Sequence, residues 1–96
     1  MKTDYQNNII LRLRKIREEN KYSQKEIAQL LGISNGQMGN IESPKYPNKY
    51  TLSQIYRISN NFNIPIDHIF LEDEDYSSNK DIINLLISNI IKYEER

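Results

Sequence analysis

Gln24 to Ser43, QKEIAQLLGISNGQMGNIES, is the stretch on which the reading of the whole chain turns. With Ser23 in front, it opens Ser23-Gln24-Lys25-Glu26. At that spacing a serine hydroxyl accepts from the amide three residues on, while the glutamate reaches back to the serine N–H. Ile27, Ala28, Leu30 and Leu31 follow at helical intervals. Gly32 is free to take the left-handed backbone that ends a helix. Ser34 then caps a second short helix, predicted to run through Glu42 with Met38 and Ile41 pointing inward.

Outward from this pair the pattern stays helical. A first helix is predicted from about Tyr5 to Asn20, with Ile9, Leu13 and Ile16 on one face. Two prolines make Ser43–Tyr50 a loop. Thr51 caps a fourth helix bearing Leu52, Ile55, Ile58, Ser59 and Phe62, and a fifth, about Ile66–Leu71, closes the core with Ile66, Ile69 and Phe70. Residues 72–78, rich in Asp and Glu, read as an acidic linker, and a last helix is expected over about Asn79–Tyr93. No period-two alternation calls for a strand, so the expected class is all-α: a five-helix domain with an additional C-terminal helix.

Composition narrows the function. There are no cysteines, so disulfides and thiolate metal sites are excluded and a reducing, cytoplasmic home is expected. MKTDYQNN has no apolar run to act as a signal peptide, and no segment reaches the roughly 18 apolar residues of a membrane span. The formal net charge of zero hides an asymmetry. Residues 1–71 hold ten Lys/Arg against six Asp/Glu, whereas 72–96 hold three against seven. The basic part can face phosphates and the acidic part should lie away from them. Heavy use of isoleucine (16) and asparagine (12) fits an AT-rich, bacterial genome.

A glutamine-led helix, a glycine turn and a second short helix together resemble the Cro/phage-repressor (XRE-like) helix-turn-helix family. Ala28 is small where the second helix crosses close by, and Ile27, Leu31, Ile33, Met38 and Ile41 supply the shared apolar wedge. LRKIREENKYSQ, ending at Gln24, and TLSQIYRISNNFNIPIDHIF, Thr51–Phe70, are similar to the family's flanking helices. The resemblance implies a DNA-binding domain over residues 5–71 with its motif at 24–43, and leaves the C-terminal 25 residues unexplained.

In that family the second motif helix enters the major groove. Carried over position by position, the base-reading surface is Ser34, Asn35, Gly36, Gln37 and Asn40. Asn and Gln can pair in bidentate fashion with adenine. Gly36 and Gly39 depart from the pattern: each weakens a helix by up to about 1 kcal/mol against alanine, and Gly36 removes one side-chain contact while letting the backbone come nearer to DNA. Gln24 resembles the family's phosphate-holding glutamine. Lys25, Lys45, Asn48 and Lys49 are expected to touch phosphates on either side, with Arg14 a lesser candidate; such contacts position a protein without conveying sequence. Arg17 and Glu42 match a family ion pair of structural role. The implied function is sequence-specific binding of double-stranded DNA, as a transcriptional regulator of repressor type on a palindromic operator.

The terminal helix carries its own expectation. Ile82, Leu86 and Ile90 stack on one line, and Ile83, Ile87 and Ile91 on the next. A stripe this wide must bury itself, and a homodimer interface would hold two reading helices about one DNA turn apart. Packing in cis and capture of a protein partner, as in an antitoxin or adaptor, are the alternatives. Enzymatic chemistry finds no support. His68 stands beside Asp67 without a nucleophile motif, and Glu72–Asp75 lacks the spaced ligands of a calcium loop. No phosphate-cradling glycine loop occurs. No metal or cofactor is expected.

Overall fold

The computed structural model describes residues 1–78 and 81–95. Seven helices and no strand occur among them: α1 (Asp4–Glu19), α2 (Gln24–Leu31), α3 (Asn35–Glu42), α4 (Leu52–Asn61), α5 (Ile66–Phe70), α6 (Asp73–Ser77) and α7 (Ile82–Glu94). The first four begin with the same device. Thr3, Ser23, Ser34 and Thr51 each accept from the backbone N–H three residues on, and Gln6, Glu26, Gln37 and Gln54 answer with a side-chain oxygen. Each box satisfies two amides that a helix start leaves without partners.

One core unites these helices: Ile9, Ile10 and Leu13 from α1, Ile27, Ala28 and Leu31 from α2, Met38 and Ile41 from α3, Ile55 and Ile58 from α4, and Ile69 and Phe70 from α5. Two tyrosines that periodicity did not single out complete it. Tyr50, in the loop before α4, and Tyr93, on α7, are both fully buried. Leu52 is the first residue of α4, as expected, and lies at the surface.

Two expectations about the C-terminal part need correction. The segment read as an acidic linker, 72–78, contains the helical turn α6. Its acidic residues crowd the positive end of that turn, where negative charge is favoured. Arg12 on α1 ties the segment down through an ion pair with Glu72 and a hydrogen bond to the Ile69 carbonyl (2.6 Å). The terminal helix begins at Ile82 with Asp81 as its cap; the expected start at Asn79 lies outside the described residues. The second correction concerns the apolar stripe, which divides. Leu86 and Ile90 pack against the chain's own core, while Ile83, Ile87 and Ile91 remain 69, 49 and 59% exposed. The cis contact wins because Tyr93 anchors the line: its ring lies edge-on to Phe70 at 5.9 Å and its hydroxyl donates to the Tyr50 carbonyl (2.8 Å).

Candidate nucleic-acid interface

The geometry around α3 starts with Gly32. Its φ of +68° is the left-handed conformation that a side chain disfavours. The turn releases Ile33, whose N–H donates back to the Ala28 carbonyl (3.0 Å), and Ser34 caps α3 directly afterwards. α3 thus crosses α2 with Ala28, Met38 and Ile41 buried between them.

The opposite side of α3 is turned to solvent. Ser34, Asn35, Gly36 and Gln37 are exposed and Asn40 is half-buried. Ser34 and Gln37 are partly spent on each other. The Ser34 hydroxyl accepts from the Gln37 amide, and the Gln37 Oε1 accepts from the Ser34 amide, both at 3.0 Å. That leaves the Gln37 Nε2 donor group facing outward. A Cβ added to Gly36 would meet nothing nearer than Ser34 Oγ at 3.9 Å, and one on Gly39 nothing nearer than Gln24 Oε1 at 4.0 Å. Neither glycine is therefore required by packing within the chain.

Charged groups brace the far end of α3. Arg17 Nε and Nη2 donate to the two Glu42 oxygens at 2.9 and 2.8 Å, and Nη1 donates to the Tyr22 carbonyl at 2.8 Å. Both side chains are nearly out of solvent. The hydrogen bonds that Arg17 donates to Glu42 push the Arg17 pKa further above its already high value. Gln24 Nε2 joins the cluster by donating to Glu42 Oε1 (2.9 Å), so the exposed amide that resembles a phosphate ligand also touches the brace of α3.

The residues expected to meet phosphates are not equally placed. Gln24, Lys25, Lys45 and Asn48 are exposed. Lys49 is not free for that task. Its ammonium donates to the Tyr93 carbonyl (2.9 Å) and lies 5.1 Å from the Tyr93 ring centroid. The cation holds down the end of α7, where helix carbonyls lack partners. Sequence reasoning also missed Lys2. Its ammonium is folded under α3 and donates to the carbonyls of Ile41 (2.6 Å), Ser43 (2.8 Å) and Asn48 (2.8 Å). The one available signal was its place directly before the capping spacing Thr3-Asp4-Tyr5-Gln6.

Such an arrangement can present a short, capped, polar helix end to a partner while its other face stays fixed. Among the described residues no group of three or more Asp, Glu or His stands where it could hold a metal, and no helix is long and apolar enough to cross a membrane. An all-helical domain with a glycine-turned helix pair and an outward second helix defines the class of helix-turn-helix DNA-binding domains. A family model described as "Helix-turn-helix domain" matches residues 11–72, more than half of the chain, and the protein belongs to that family. Comparison with curated proteins and with solved structures gave no match.

Proposed function

We propose that the protein is a transcriptional regulator of Cro/phage-repressor (XRE-like) type that reads a palindromic operator as a homodimer in the bacterial cytoplasm. Residues 5–71 form its DNA-binding unit, and α7 carries the dimer contact. The observation that carries this reading is the polarity of α3: one face buried in the core, the other a solvent-facing row of Ser34, Asn35, Gly36 and Gln37 with Asn40 at its edge. Asn40 suits the edge of adenine, a good bidentate pair being worth about 1–3 kcal/mol against the wrong base, and the donor end of Gln37 suits a single acceptor such as a purine N7. The two glycines, not needed for packing, let a groove wall approach closely. Gln24, Lys25, Lys45 and Asn48 border this face and take phosphates. Repression is the simplest outcome, since a protein seated on a promoter excludes polymerase by bulk.

The dimer contact is narrower than the whole stripe. Ile83, Ile87 and Ile91 form an exposed line on α7, and a twofold pairing of such lines hides both at once. A protein partner of antitoxin or adaptor type would use the same line. Gel-shift titration on the DNA upstream of the coding sequence tests the proposal. Gln37→Ala and Asn40→Ala should narrow the gap between that DNA and a random duplex, and Lys25→Ala or Lys45→Ala should weaken both alike and reduce the salt slope by about one each. Equal losses on both DNAs for the Gln37 and Asn40 variants would place the reading surface elsewhere. Retention of a second protein through α7 together with non-selective DNA binding would favour the adaptor reading.

A further inference from the structure

We propose that Lys2 is a positioning residue for DNA reading: its ammonium gathers the carbonyls at the C-terminal end of α3 and of the loop behind it, and so sets the angle at which α3 stands out from the domain. This role rests on α3 being the DNA-facing helix.

α3 needs outside support. It has eight residues, two of them glycines, which are less favourable than alanine in a helix interior. Its last carbonyls have no partner within the helix. Its last turn has no basic residue and contains Glu42, the wrong sign for the negative end of a helix. Lys2 answers these deficits from the far end of the chain. Besides Ile41, Ser43 and Asn48, the Asn40 carbonyl lies 3.4 Å from its Nζ. An ammonium has three protons, so the three shorter contacts occupy it fully. Met1 is 94% exposed, yet Lys2 is only 8% exposed; the chain end is in solvent while the next residue is folded in. The residue after it, Thr3, is held in place by the Thr3–Gln6 capping box, and the Gln6 side-chain Nε2 donates in turn to the Tyr93 carbonyl (2.7 Å). Burial lowers the Lys2 pKa from its ordinary value, the cost of a desolvated cation that the carbonyl dipoles offset.

A small tilt has a large consequence at the tip. From its cap to its end α3 measures about 13 Å at 1.5 Å per residue, so a tilt of about 5° moves the Ser34 end by roughly 1 Å. N–H···O bonds span only about 0.5 Å between their short and long limits. Base contacts are lost to such a tilt, whereas attraction to phosphates tolerates it. Removing Lys2 should therefore reduce selectivity more than affinity for DNA in general.

The test uses full-length Lys2→Met, compared with the natural protein on a duplex selected from a random pool and on an unselected one. Affinity for the selected duplex should fall tenfold or more, and for the unselected one less than threefold. Amide hydrogen exchange should quicken at least tenfold over residues 40–43 with α2 unchanged. Equal losses on both duplexes, or unaltered exchange in α3, would overturn the proposal. A measurement on the unaltered protein covers the case of a variant that does not fold. The Lys2 ammonium should give a slowly exchanging 15N signal coupled to carbonyl carbons, and a solvent-averaged signal like that of a surface lysine would also overturn it. Should the natural protein prefer no sequence, the DNA-reading proposal fails, while the exchange and ammonium data still decide whether Lys2 holds α3.

Discussion

α3 and α7 are anchored alike and dressed differently. Each buries one face in the same core, and each has its C-terminal carbonyls gathered by a lysine from elsewhere, Lys2 on α3 and Lys49 on α7. Their outward faces diverge: Ser34, Asn35, Gly36 and Gln37 on α3, Ile83, Ile87 and Ile91 on α7. Anchoring keeps a helix rigid, and the exposed side chains decide what it can meet. A polar row with spare donors suits a hydrated groove edge; an isoleucine row suits another apolar surface.

The sharpest way to break the α3 side is to remove its brace. Arg17→Met leaves the Glu42 carboxylate buried without its bidentate partner, and stability should fall by about 3–5 kcal/mol, measured by urea unfolding. A loss under about 1 kcal/mol would mean that the pair is screened by water and that α3 is held by Lys2 and packing alone.

Alkaline titration probes the α7 side. Burial raises the pKa values of Tyr50 and Tyr93 well above the ordinary tyrosine value of 10.0. Above about pH 10 the tyrosines of the unfolded chain ionise while these two keep their protons. Their contribution is fully present below that pH and is lost as pH rises, by about 1.4 kcal/mol per unit for each residue. Tyr93→Phe should remove about half of that slope, although it also deletes the hydroxyl bond to Tyr50. An unchanged slope would show that α7 does not stay docked in solution.

The two lines of α7 should then separate cleanly. Leu86→Ala or Ile90→Ala, each at a half-buried position, should cost about 1–2 kcal/mol of stability, part of the usual loss for a fully buried aliphatic. Ile83→Asn, Ile87→Asn and Ile91→Asn should each change the stability of the single chain by less than about 0.5 kcal/mol. Combined, those three should convert a sedimenting dimer into a monomer. The smallest effect belongs to α3: Gly36→Ala should stabilise the fold by about 0.4–1 kcal/mol, because the added Cβ meets only an ordinary contact, Ser34 Oγ at 3.9 Å. If close groove approach is why glycine stands there, the same variant binds the operator less tightly.

Much of the α3 side was legible from the chain because its signals are local. Ser23 and Glu26, Gly32, and Ser34 followed by Met38 and Ile41 each report on neighbours within one or two helical turns, where spacing in sequence equals spacing on a face. The α7 side was only half legible. Spacing showed an isoleucine stripe but not which line would find the core, since that depends on Phe70 and Tyr50, far away in sequence. Lys2 and Lys49 were missed or misread for the same reason. A lysine that caps carbonyls 39 or 44 positions away looks, in sequence, like any solvated lysine. The acidic stretch at 72–75 misled because its charge reads as a linker, although the same carboxylates also suit the first turn of a short helix.

Selection of bound duplexes from a random pool tests the central claim most directly, namely that the Ser34 end of α3 enters a DNA groove. The natural protein should enrich an inverted repeat whose half-site centres lie about 10–10.5 base pairs, or a multiple of that, apart, and Gln37→Ala with Asn40→Ala should blur the enriched positions. A pool that stays random, or a motif that survives those two substitutions intact, would contradict the account.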